Sequence, residues 1–250
     1  MSIFDGFFDF NIPGEVIISL TVMCIISILC IITFFLARKA DPKKAHKGLL
    51  GLMEWAVEKV DGLVHENMGD DFPNFGGYVL AAAMFILFSF LIGVTGLPGP
   101  MTYLGCTLTL ALCTFFFIHF TSIRYTKWGY FKRYIDPMPV FLPVNLISMW
   151  APVLSLSLRL FGNAVSGWVL LSLVYWSLEN ASSMVFSMLP DGVNGLFFGP
   201  IVAPFLHLYF DLFSAAIQMF VFILLSMLFV AQEKPEEVKI QDNIVLANRE

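Results

Sequence analysis

Arg159 is a charge in an apolar setting. It lies in LSLSLRLFGN, within a stretch from Pro137 to Gln232 whose only charged residues are Arg159, Glu179, Asp191 and Asp211. Counted from Asn145 at 1.5 Å per residue, Arg159 sits about 21 Å along its helix, beyond easy snorkelling. An arginine near mid-bilayer costs about 2.5–3.5 kcal/mol on insertion scales and is kept where a counter-charge or a wet cavity faces it. Two readings follow. Arg159 forms a structural ion pair with Asp211 or Glu179, or it is a charge held ready for a passing ion.

His207, Asp211, Ser214 and Gln218 fall at i, i+4, i+7 and i+11. At 100° per residue those offsets stay within about 40° of the first, so the four residues form one stripe on an apolar helix. Such a stripe can line a hydrated half-channel or pass protons, or it can be a polar seam between helices. A His and an Asp within one turn are costlier than the Ser, Thr, Asn and Gln of ordinary seams, which favours ion chemistry. Asn163 lies one turn after Arg159 on the same face, and Gly162 and Gly167 leave room for a close helix neighbour.

Five apolar runs must position these groups. Residues 16–37 form a first span, 76–97 a second and 101–123 a third. Residues 145–183, with Arg159, and 200–232 are too long for one perpendicular crossing and read as a long tilted hairpin. Residues 48–68 alternate Leu49, Leu52, Met53, Ala56, Val60 and Val64 with Glu54, Glu58, Asp61 and Glu66, an amphipathic helix for the membrane face or for a partner protein. GLPGP at 96–100 turns the chain between spans.

Basic clusters set the orientation. Arg38, Lys39, Lys43, Lys44 and Lys47 follow the first span, and Arg124, Lys127, Lys132 and Arg133 follow the third. Both read as cytoplasmic, with the N-terminus outside and the polar tail 233–250 inside.

Composition agrees. The 250 residues are 58% hydrophobic and only 13% charged, about half the charge of a soluble domain. The expected fold class is an all-α membrane protein, residues 1–250 as one membrane domain, with five crossings and one surface helix. A soluble globule and a nucleic-acid-binding domain are excluded. Cys24, Cys30, Cys106 and Cys113 make no CxxC or Cys/His cluster and read as small buried hydrophobes, so no metal is expected. The acidic start MSIFDGFFDF lacks a signal-peptide n-region, so the first span is expected to be retained. No GxxxxGK[ST] loop occurs, so no nucleotide chemistry and no cofactor is expected of this chain.

PVFLPVNLI (139–147), SLSLRLFGNAVSG (155–167) and AAIQMFVFILLSMLF (215–229) resemble subunit a of the rotary ATP synthase membrane sector. The resemblance runs from about Trp55 to Gln232 and includes the GLPGP turn. It implies that Arg159 is the stator arginine facing a rotor-ring carboxylate, with Asn163 one turn on and Gln218 opposite on the last helix. Asp211 falls where that family has Glu or His. Trp168 stands where the family commonly has Glu or His, so that proton-path group is missing, and Glu179 or His207 is left as a substitute. The resemblance further implies proton conduction through two half-channels. Asp211, His207, Ser214 and Glu179 would serve the outer one, and Asn145 and Ser148 the inner. It implies partners too: a rotor ring of small hairpin c-type subunits, peripheral-stalk b-type subunits and the lipid bilayer, in a bacterial plasma membrane. The chain would be a non-catalytic subunit. The rival reading is a stand-alone secondary transporter or ion channel using Arg159 to bind an anion. An intramembrane protease is disfavoured, since neither HExxH nor a GxSG-like nucleophile string occurs.

Overall fold

The computed structural model describes residues 14–40, 48–69, 72, 74–127, 140, 142–186 and 197–234. Most of both basic loops, the turn with Asp191 and the tail from residue 235 lie outside the described residues. Helices make up nearly all of what is described: α1 (Gly14–Lys39), α2 (Leu49–Met68), α3 (Phe75–Leu91), α4 (Leu104–Thr126), α5 (Leu142–Val185) and α6 (Gly199–Gln232). Five of them, all but α2, are long and apolar enough to cross a membrane. The protein is an all-α membrane protein.

The core joins α3, α4, α5 and α6. Val79, Ile86, Ala111, Val153, Leu156, Leu160, Phe222 and Met227 are buried together in it. A chain of hydroxyls ties three of these helices. Tyr78 Oη meets Thr114 Oγ1 at 2.6 Å, and Thr114 meets Ser226 Oγ at 3.3 Å. Each hydroxyl can donate one bond and accept another, so the three satisfy one another in an apolar interior. Helix α1 stands apart, with Val22 buried and most of its apolar side chains outward. Outward apolar residues suit a lipid neighbour, and this also corrects the expectation for the cysteines. Cys24, Cys30 and Cys113 are exposed and Cys106 is half-buried, because a membrane helix need not hide small apolar groups from its solvent.

Helix α2 lays Val60, Val64 and Met68 on the core, against α3 and α6, and leaves Leu52 and Trp55 outward. Gly76 on α3 has no Cβ, which lets the Asp61 carboxylate of α2 sit over it.

The turn between α3 and α4 is tight. α3 runs into a 3-10 turn over Ile92–Thr95, Gly96 takes a left-handed φ of 81°, and a second 3-10 turn covers Pro100–Thr102. A Cβ on Gly99 would stand 2.5 Å from the Ser89 carbonyl oxygen, so only glycine lets the chain fold back there.

Helix α5 spans 44 residues, about 66 Å at 1.5 Å per residue, against a hydrocarbon core of about 30 Å. Pro152 inside it withholds the N–H that would bond the Ser148 carbonyl. Helix α6 is not uniform either. It is α-helical through His207, widens to a π turn over Leu208–Phe213, and returns to α-helix from Ser214.

A candidate ion-translocation site between the two long helices

The α6 stripe faces the protein. His207, Ser214 and Gln218 are half-buried and Asp211 is buried, while Leu212, Phe213 and Ile217 between them are exposed. The π turn does not disperse the stripe. Its extra width carries Asp211 inward, and π turns concentrate at functional sites.

Two contacts fix α5 against α6. Asn163 Nδ2 donates to Ser214 Oγ at 2.6 Å. One turn further along α5, Gly167 lies against Phe210, whose ring would be 3.6 Å from an added Cβ. The helices run antiparallel. One turn back along α5 from Asn163 and one turn on along α6 from Ser214 bring Arg159 level with Gln218. Gln218 Oε1 is buried without a hydrogen-bond partner. Arg159 is exposed, and among the described residues it makes no ion pair and no hydrogen bond. The structural ion pair is not formed: Asp211 is engaged by His207 instead, and Glu179 lies five turns further along α5, exposed. Gly162, three residues after Arg159, has open space where a Cβ would go.

Cavities that mix polar and apolar walls lie on either side of this level. The first, of about 270 Å³, is lined by Asn163, Trp168, Tyr175, His207 and Asp211, and by Ser89 and Gly93 from the α3 end. The second, of about 540 Å³, is lined by His119, Asn145, Ser148, Ser155, Gln232 and Glu233. On α5 the second cavity ends at Ser155 and the first begins at Asn163, each four residues from Arg159. Arg159 therefore stands about 6 Å of helix from each cavity.

Inside the first cavity, His207 Nδ1 and Asp211 Oδ2 are 2.5 Å apart. His207 Nε2 is 2.6 Å from Tyr175 Oη. Gly93 makes room for the carboxylate, since a Cβ there would lie 3.1 Å from Asp211 Oδ1. Of the residues expected from sequence, Asn163, His207 and Asp211 line this cavity and Ser214 is bonded to Asn163. Glu179 is outside it. Asn145 and Ser148 line the second. Sequence reasoning missed Tyr175, Gly93 and His119. The signal for His119 was present, as an ionisable residue within the third apolar run.

The chain matches the profile of the family described as ATP synthase A chain over residues 18–231. It is 32% identical to ATP synthase subunit a of Oceanobacillus iheyensis, covering 90% of this chain and 93% of the relative. It is 30% identical to ATP synthase subunit a of Mycoplasma pneumoniae, covering 89% of this chain and 82% of the relative. ATP synthase subunit a of Sulfurihydrogenibium is 29% identical, covering 87% and 95%. A profile match across most of the chain, together with relatives matched nearly end to end, shows that the chain belongs to the ATP synthase A chain family, as an integral subunit of the synthase membrane sector.

Proposed function

We propose that this chain is the proton-conducting stator of the synthase, a single membrane domain working beside a ring of small helical-hairpin subunits and held by b-type stalk subunits. The observation that carries the reading is the place of Arg159. Among the described residues it is unpaired, and it is exposed, level with Gln218, between two cavities that share no lining residue.

A proton enters the first cavity from outside and reaches Asp211. It passes to a ring carboxylate, which as a neutral acid can enter lipid. After nearly a full turn that acid meets the second cavity, where Asn145, Ser148 and His119 offer hydration, and it ionises. Arg159 acts between the two. A guanidinium stays charged in proteins. It lowers the pKa of an approaching carboxylate by about 1–3 units and so favours release over backward transfer. Its fixed charge also opposes direct flow between the cavities. Each proton brings about 2.3 kcal/mol per 100 mV of membrane potential, so several are needed per ATP. The N-terminus faces outward and the C-terminus the bacterial cytoplasm.

Arg159→Ala tests this in the complete synthase reconstituted in vesicles. ATP synthesis driven by a proton gradient should be lost, while passive proton conduction persists. Wild-type coupled rates in the variant would overturn the reading.

A further inference from the structure

The first cavity holds three titratable side chains, and they form one chain: Tyr175 from α5, then His207 and Asp211 from α6. No other titratable residue among those described lines it. From the α3 end it receives Ser89, whose buried hydroxyl has no hydrogen-bond partner, and Gly93.

With Asp211 ionised and His207 neutral, the contacts leave one arrangement of protons. An ionised Asp211 can only accept, so a neutral His207 donates from Nδ1. Nε2 is then the acceptor, and the Tyr175 hydroxyl is the donor to it. Tyr175 thus does two things. It selects the His207 tautomer, and it covers the ring nitrogen that Asp211 leaves open.

We propose that Tyr175 is the outer member of a proton relay that delivers through His207 to Asp211. This inference rests on the proton-conducting reading above. In the forward step Tyr175 passes its hydroxyl proton to His207 Nε2 while its oxygen takes one from cavity water. His207 passes its Nδ1 proton to Asp211 Oδ2. One proton has left the water, Asp211 is a neutral acid, and His207 is neutral with its proton on Nε2. Once Asp211 has handed its proton inward, His207 exchanges protons with cavity water, taking one at Nδ1 and releasing the one on Nε2; this restores the Nδ1–H tautomer with no net gain or loss, and Tyr175 again donates. Histidine suits the central place because its two nitrogens can gain and lose different protons near neutral pH.

Tyr175→Phe removes only the hydroxyl and leaves the ring packed. In the intact synthase reconstituted in vesicles, passive proton conduction from the outer side should fall about tenfold, less than the 10²–10⁴ of a fully lost proton-transfer group because cavity water partly replaces the hydroxyl. Nitrogen NMR of labelled His207 should report Nδ1–H in the unmodified protein and a mixture of tautomers in Tyr175→Phe. A purely packing role for Tyr175 would leave the tautomer unchanged. Wild-type conduction in Tyr175→Phe, or an Nε2–H tautomer in the unmodified protein, would overturn the relay. If Arg159→Ala stops coupled synthesis while Tyr175→Phe conducts normally, the relay alone fails. If Arg159→Ala synthesises normally, the conducting reading fails.

Discussion

The Asn163 amide and the Ser214 hydroxyl meet at 2.6 Å, and this bond sets the register of the two longest helices. Everything that faces across α5 and α6 is counted from it, including the level at which Arg159 and Gln218 stand. A polar bond between membrane helices averages about 0.6 kcal/mol, because the separated helices find other partners. Ser214→Ala should therefore lower the thermal stability of the detergent-solubilised synthase only slightly. Conduction should stay within about threefold of wild type, since Ala leaves a space water can enter. A collapse of assembly would show that this bond does more than set register.

Arg159→Lys separates charge from geometry. Lysine keeps a positive charge but loses the planar fork that engages a carboxylate with two parallel bonds. Because Arg159 is unpaired and outward-facing, the fork has no structural duty among the described residues to lose. Coupled ATP synthesis in vesicles should fall at least about tenfold with the complex intact. Equal synthesis would mean that charge alone suffices.

Asp211 gives a graded series. In Asp211→Asn the side-chain oxygen can still accept from His207 Nδ1, so the fold should persist, but the group can no longer take a proton. Proton entry should slow about 100-fold. Asp211→Glu keeps the titratable group and should be milder, limited by crowding against Gly93, which already lies close to the carboxylate. Stopped-flow acidification of vesicles would rank the three. Equal rates would remove Asp211 from the path.

The features legible in sequence were those that obey a period or a solvent rule. Apolar runs announced the membrane helices because every backbone group in lipid must bond within its own helix. His207, Asp211, Ser214 and Gln218 were found because their spacing keeps one helix face. Tyr175 was not found. A tyrosine in an apolar helix is unremarkable by type, and its bond to His207 joins residues 32 apart. That pairing exists only once the α5–α6 register is set. The π turn at Leu208–Phe213 was equally hidden, since LYFDLF holds no residue that demands it. Gly93 belongs with these, because its importance lies in the carboxylate it faces and not in its own backbone. The setting of Arg159 was half legible. Its oddity was plain in sequence, whereas its outward placement, four residues from each cavity, needed the packed helices.

Gly93 and Gly96 offer the sharpest contrast, because neighbouring glycines should fail differently. At Gly93 the backbone is ordinary, but a Cβ would stand 3.1 Å from Asp211 Oδ1. Gly93→Ala should therefore fold normally and push the carboxylate by a few tenths of an ångström, disturbing its short contact with His207. At Gly96 nothing lies within 4 Å, but φ is +81°. Gly96→Ala should strain the turn by about 1–2 kcal/mol and leave Asp211 untouched. Proton uptake and thermal stability, measured on both variants of the reconstituted synthase, should move in opposite pairs. Gly93→Ala should lose uptake at nearly full stability, and Gly96→Ala should lose stability at nearly full uptake. If both lose only stability, the space beside Asp211 serves packing and the carboxylate tolerates displacement.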